Sequence, residues 1–147
     1  MSKILIACLS LNGHTRQLAD YIAEGVRISG NEAVVQNITE LQKPDDLAGY
    51  DGFIFGCPTY HRDMPAAMKP FLFMAKNAGL ADKSGGAFGS YTHSGDAPKI
   101  VFDTMEHVFR MNVVSLGALN VLEDRIDTQD YIRACHDYAR AVCEAAG

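Results

Sequence analysis

Short apolar runs alternate along the chain with longer stretches of helical period, which is the pattern of repeated β-α-β units. The runs predict strands at Lys3 to Leu9, Ala33 to Ile38, Gly52 to Cys57, Gly86 to Tyr91 and Val113 to Val121. Ile4-Leu5-Ile6-Ala7 and Phe53-Ile54-Phe55 are apolar without alternation, as central parallel strands are when helices cover both faces. Between the runs, Leu18, Tyr21, Ile22 and Val26 share one helical face while Arg16, Gln17, Asp20, Glu24 and Arg27 take the other. An amphipathic helix from Thr15 to Ile28, closed by Gly30-Asn31, is the expectation. Tyr131, Ile132, Cys135, Tyr138, Ala139, Val142 and Cys143 repeat the period in a last helix with Asp127 or Thr128 as N-cap. Two more helices are predicted at Pro70 to Lys76, with its proline in the first turn, and at Ala97 to Arg110.

This series specifies a doubly wound, open α/β sheet with right-handed crossovers. Ligands of such sheets bind beyond the carboxyl ends of the strands, near the reversal of strand order. The segments that matter are therefore Ser10 to Thr15, Pro58 to Pro65 and Ser90 to Pro98.

The length of 147 residues fits one domain spanning 1–147, and 48% hydrophobic with 21% charged residues is globular composition. A net charge of −5 without a basic run argues against nucleic acid as a partner. No apolar run is long enough for a membrane span, and the amino-terminal residues lead straight into a core strand rather than a signal peptide. Cys8, Cys57, Cys135 and Cys143 show no C-x-x-C spacing, so zinc and disulfide scaffolds are not indicated. Free thiols point to a cytoplasmic location.

Ser10-Leu11-Asn12-Gly13-His14-Thr15 joins a buried strand to a helix and is rich in short hydroxyl and amide side chains. Helix N-terminal amides and the helix dipole favour an anion there, and Gly13 permits a tight turn, so the segment reads as a phosphate cradle. The same residues also suit a plain turn with a helix cap. No G-x-x-x-x-G-K-[ST] and no G-x-G-x-x-G occurs, which disfavours nucleoside triphosphatases and dinucleotide folds. The second segment carries Tyr60 among polar neighbours, and the third repeats this with Tyr91 between Gly89 and Gly95. Two aromatic-bearing loops beside a phosphate cradle describe a site for a planar phosphorylated ring, and flavin mononucleotide (FMN) meets that description.

These motifs resemble those of the flavodoxin-like family. Ser10-Leu11-Asn12-Gly13-His14-Thr15 is similar to its phosphate loop, and Gly13-His14 to the quinone-reductase (WrbA-type) branch. Gly56-Cys57-Pro58-Thr59-Tyr60 is similar to the G-x-P-T segment of that branch and of the flavodoxin domain of flavodiiron proteins. Ser90-Tyr91-Thr92-His93-Ser94-Gly95 resembles the S-Y-G-W-S-G of the latter. The resemblance implies a three-layer fold with a five-stranded parallel sheet in the order 2-1-3-4-5. It implies FMN as cofactor, with Ser10, Asn12, Gly13, His14 and Thr15 on the phosphate. Pro58, Thr59, Tyr60 and His61 would line the ring and ribityl chain, and Ser90, Tyr91, His93 and Gly95 the ring's far edge. The chain has no tryptophan, so His93 stands where many relatives have an indole. The function implied is electron transfer between redox partner proteins such as ferredoxin-type proteins or flavin reductases, with an FMN-dependent NAD(P)H:quinone oxidoreductase as the alternative.

Two rivals stand further back. Cys57 and Arg62 resemble a cysteine phosphatase's nucleophile and arginine, but four residues intervene where that loop has five, and Pro58 removes an amide donor. A flavin-free binding module on the same fold is the other. His14, His61 and His93 fall one on each loop but lack the local spacing of helical metal sites.

Overall fold

The computed structural model describes residues 1–9, 13–59, 63–92 and 95–146. In chain order it contains β1 (Lys3–Cys8), α1 (His14–Ile28), β2 (Glu32–Asn37), β3 (Gly52–Gly56), α2 (Met68–Ala75), β4 (Ser84–Tyr91), α3 (Asp96–His107), β5 (Asn112–Val113), β6 (Leu119–Leu122) and α4 (Gln129–Ala146). Single 3-10 turns lie at Ile38–Glu40, Pro44–Leu47 and Glu123–Arg125. All strands pair in parallel in the order β2-β1-β3-β4-β5, and β6 pairs with β4 beyond the end of β5. The expected 2-1-3-4-5 order is thus present, with two short strands sharing the fifth position. Among the described residues no helix is long and apolar enough to cross a membrane.

The continuous apolar runs form the middle of the sheet, where Ile4, Leu5, Ile6, Phe53, Ile54 and Phe55 are buried. Alternation along β4 assigns its residues to the two helix layers. Gly86 faces α4, where a Cβ would lie 2.7 Å from the Tyr138 hydroxyl oxygen, while Gly85 faces Met105 of α3. α1 packs side by side with α4, and α3 lies over β4 and β5. Right-handed crossovers account for this, since the chain winds one way from β1 to β2 and the other way from β3 onward.

The fifth strand departs from its sequence expectation of Val113 to Val121. β5 pairs with Ser84 and Gly85, the Val114 N–H still donates to the Gly85 carbonyl, β6 pairs with Phe88 to Tyr91, and residues 115–118 leave the ladder between them. Gly117 takes a φ of +78° in this detour, a conformation that costs glycine little. Tyr138 holds the detour in place: its hydroxyl donates to the Gly117 carbonyl at 2.7 Å and accepts from the Ala87 N–H at 3.0 Å. One buried phenol thereby satisfies two backbone groups that a continuous ladder would have paired with each other's neighbours.

Candidate functional site

The carboxyl ends of β1, β3, β4 and β6 converge at one edge of the sheet. Gly13 precedes α1 with φ +89°, and the first turn of α1 contains no acidic residue. Helix amides and dipole at this end therefore meet an incoming anion without a carboxylate from that turn opposing it. His14 Nδ1 is hydrogen-bonded to the Glu123 carboxylate, tying the start of α1 to the turn that follows β6. Thr15 is fully buried, and its hydroxyl lies 3.3 Å from that of buried Ser90 at the end of β4. Two hydroxyls from segments 75 residues apart thus meet directly under the start of α1.

Backbone bonds lock the strand ends together. The Leu9 N–H donates to the Gly56 carbonyl at 2.9 Å, and the Cys57 N–H to the Phe88 carbonyl at 3.2 Å. Thr59 reaches across to α3, where its hydroxyl oxygen accepts the Ala97 N–H at 3.0 Å. This satisfies an N-terminal amide of α3, whose own N-cap residue Gly95 has no side chain for the task. The second segment is therefore fastened to the helix that the third segment begins. Close approach decides the residue types. A Cβ at Gly89 would lie 2.2 Å from the Cys57 carbonyl oxygen, and one at Gly95 would lie 2.6 Å from Asn120 Oδ1.

At the same edge a cleft of about 430 Å³ is lined by His14, Tyr91, Thr92, Leu122, Glu123 and Asp124, within the range of small-molecule and cofactor sites. It combines an imidazole, a phenol and apolar surface with two carboxylates. One of these, Glu123, is engaged by His14.

The nearby thiols contribute no nucleophile. Burial, with lesser effects from Arg16 and Asp20, pushes Cys8 up to about 11, and burial followed by the Asp63 charge pushes Cys57 up to about 12. Both are neutral thiols at physiological pH, which removes the thiolate that phosphatase chemistry would need.

Of the residues expected from sequence, the structure brings Gly13, His14, Thr15, Ser90, Tyr91, Pro58, Thr59 and Gly95 to this edge. Ser10, Asn12, Tyr60, His61 and His93 lie outside the described residues. Leu122, Glu123 and Asp124, together with Thr92, are additions that sequence reasoning missed. The available signal was the rule already applied to the other strands, because 122–124 follow the fifth strand's carboxyl end.

Comparison with known proteins follows the geometry. A family model described as flavodoxin matches residues 7–134. A solved archaeal flavodoxin superposes with a TM-score of 0.88 at 25% identity, covering 98% of each chain. Flavodoxin 2 from Bacillus cereus gives 0.85 at 26% identity, with 97% of this chain and 99% of that one covered. A protein named NAD(P)H dehydrogenase (quinone) from Acidithiobacillus ferrooxidans is 36% identical over 110 residues, which span 61% of this chain and 55% of that protein.

Proposed function

Because the chain belongs to the flavodoxin family, as the match across residues 7–134 shows, we propose that it carries electrons between larger redox proteins by way of FMN, the cofactor of that family. The residues present fit the group. A first helical turn with no acidic residue of its own, the buried Thr15 and Ser90 hydroxyls and a cleft of about 430 Å³ suit a phosphorylated planar ring. When bound, FMN supplies one- or two-electron chemistry, and the polypeptide supplies placement and electrostatics. Thr15, Ser90 and the α1 amides would hold the phosphate. Pro58, Thr59, Tyr91 and Gly95 would shape the ring's surroundings and keep water from part of it.

The observation that carries the carrier reading is the brevity of the connections at this edge. Residues 92–95 join β4 to α3, residues 123–128 join β6 to α4, and the 11 residues 57–67 between β3 and α2 are the longest connection here. That is little chain for a walled dinucleotide pocket beside the first ligand, whereas protein partners need only an open edge. A second reading, an FMN-dependent NAD(P)H:quinone oxidoreductase, is supported by the name of the Acidithiobacillus relative.

Purified protein loaded with FMN and assayed with NADH, NADPH and a soluble quinone separates the two. The carrier reading expects a yellow protein that these substrates turn over hardly faster than free FMN, yet that accepts electrons from a reductase protein. Rapid quinone turnover with a nicotinamide donor overturns it in favour of the enzyme. A protein that takes up no FMN overturns both readings.

A further inference from the structure

α2 and its C-cap carry Lys69, Leu72, Phe73 and Lys76 at i, i+3, i+4 and i+7. That spacing puts the four side chains on one helical face, an apolar pair between two cations about 10 Å apart along the axis. The face meets the far end of α3, where Met64, Val108 and Phe109 complete a groove of about 290 Å³. Met64, Leu72 and Phe109 are buried within it, whereas Phe73 and Val108 stand out, 76% and 50% exposed. Apolar side chains left so open beside an apolar depression mark a contact surface.

The charges around the groove are one-sided. Among the described residues no carboxylate lines it, although the chain as a whole carries −5. Lys69 pairs with Asp63 at 2.8 Å on the exposed surface, and Lys76 has no carboxylate partner among the described residues. The acids of the adjoining helix are turned to other groups, Asp103 to Lys99 at 2.7 Å and Glu106 to His107 at 3.4 Å. An apolar slot bracketed by cations complements an apolar ridge bracketed by carboxylates. α3 starts at the ligand edge and its 12 residues lead about 18 Å away from it. The groove accordingly shares no lining residue with the cleft at that edge.

We propose that this groove docks an amphipathic helix of a partner protein, with apolar residues one turn apart set between carboxylates about seven positions apart. Such a helix buries Phe73 and Val108, inserts its apolar side chains over Leu72 and Phe109, and places its carboxylates against Lys69 and Lys76. A second copy of this chain fits poorly. Across a two-fold axis it would set lysine against lysine, and two exposed apolar side chains fall far short of the ~800 Å² per partner that a stable dimer buries. A membrane surface would reach Phe73 and the lysines but not the buried Met64, Leu72 and Phe109. A partner held here leaves the carboxyl ends of the strands uncovered, and the inference is independent of what binds there.

The probe is an alanine-rich helical peptide of about 16 residues with two leucines one turn apart between glutamates about seven positions apart; the control peptide has lysine for both glutamates. Amide chemical shifts of isotope-labelled protein report affinity and location together. The glutamate peptide is expected to bind with a dissociation constant of about 0.1 mM, as a small contact does, shifting amides of 69–76 and 104–109 and sparing those of 119–124. The lysine peptide should bind about tenfold more weakly or worse. Phe73→Ser and Lys76→Glu alter exposed side chains and should weaken the glutamate peptide about tenfold and about fivefold. Lys76→Arg should stay within about twofold of wild type, since it keeps the charge. All three variants should retain wild-type unfolding temperature and FMN affinity.

No shifts with about 1 mM glutamate peptide, equal affinity for the two peptides, shifts centred on 119–124, or unaltered binding by Phe73→Ser each overturns the proposal. If Phe73→Ser fails to fold, Lys76→Glu against Lys76→Arg decides the same question, and equal affinities of those two overturn it. Sedimentation of the protein alone as a dimer that Phe73→Ser dissociates gives the groove to a second copy. Binding to phosphatidylserine vesicles that Lys76→Glu abolishes gives it to a membrane; either result overturns the helix-docking assignment. Protein that binds the glutamate peptide as expected but takes up no FMN supports this proposal and overturns only the flavin reading.

Discussion

Replacing Thr15 by valine tests the phosphate end of the site with almost no change of shape. The Thr15 side chain is fully buried and its hydroxyl meets that of Ser90 at 3.3 Å, so valine fills the same space while deleting Oγ1. In the flavin-free protein the change removes one rather long hydroxyl contact and leaves Ser90 Oγ without that partner, a cost of about 1 kcal/mol. In the complex it removes a bond to a dianionic phosphate, and bonds to charged groups contribute about 1.5–3 kcal/mol. FMN affinity should therefore fall about 10- to 150-fold. Riboflavin has no phosphate, so its affinity should change by less than about twofold by the same reasoning. Titrating both flavins against wild type and Thr15→Val, with fluorescence as the readout, gives the four dissociation constants required. Equal weakening of the two flavins, or no change in either, would show that the buried hydroxyl pair serves packing and not the phosphate.

Three further outcomes follow from the packing described. Tyr138→Phe orphans the Ala87 N–H and the Gly117 carbonyl and should cost about 2–4 kcal/mol in calorimetric unfolding; a loss below about 1 kcal/mol means that the phenol does not hold the split strand. Gly89→Ala drives a Cβ to 2.2 Å from the Cys57 carbonyl oxygen, so urea unfolding should show a loss of about 3 kcal/mol with weakened FMN binding, and wild-type values for both would refute the close approach. Burial raises Cys8, Cys57 and Cys135 from 9.0 to about 11, 12 and 12, so above pH ~9 the unfolded chain releases these protons while the folded chain keeps them. Their contribution to stability is complete below that pH and declines as the pH rises, by about 1.4 kcal/mol per pH unit for each thiol; flat stability across pH 9–11, or rapid reaction of native protein with a thiol reagent at pH 8, contradicts this.

Much of the architecture was legible because β1 and β3 advertise themselves as unbroken apolar runs and α1 as a clean amphipathic period. The start of β4 was not: Ser84-Gly85 has no strand propensity, and these residues extend only because β3 and β5 pair with them on either side. The fifth strand was drawn as one run since nothing near 115–118 reveals that Tyr138, 21 residues beyond Gly117, satisfies the detour. The three ligand-end segments were found from strand ends and loop chemistry. Thr59 was read as a ligand contact only, whereas its oxygen also caps α3. Glu123 escaped notice because its meaning comes from His14, a partner 109 positions away.

β4 contributes very little bulk for a central strand, since Ser84, Gly85, Gly86, Ala87, Gly89 and Ser90 leave Phe88 as its one large residue before the terminal Tyr91. Each of its glycines is hemmed in by a different neighbour: Met111 and Met105 at 85, Tyr138 at 86, the Cys57 carbonyl at 89. A single enlargement therefore cannot be accommodated by adjusting one partner common to all. Random mutagenesis followed by selection for flavin retention should leave β4 as the quietest stretch of the chain, with accepted changes gathering on the outward faces of α1 and α4. Attempts to recast the protein's specificity have correspondingly little room in its middle and more at the β6 edge, where Glu123 and Asp124 border the cleft.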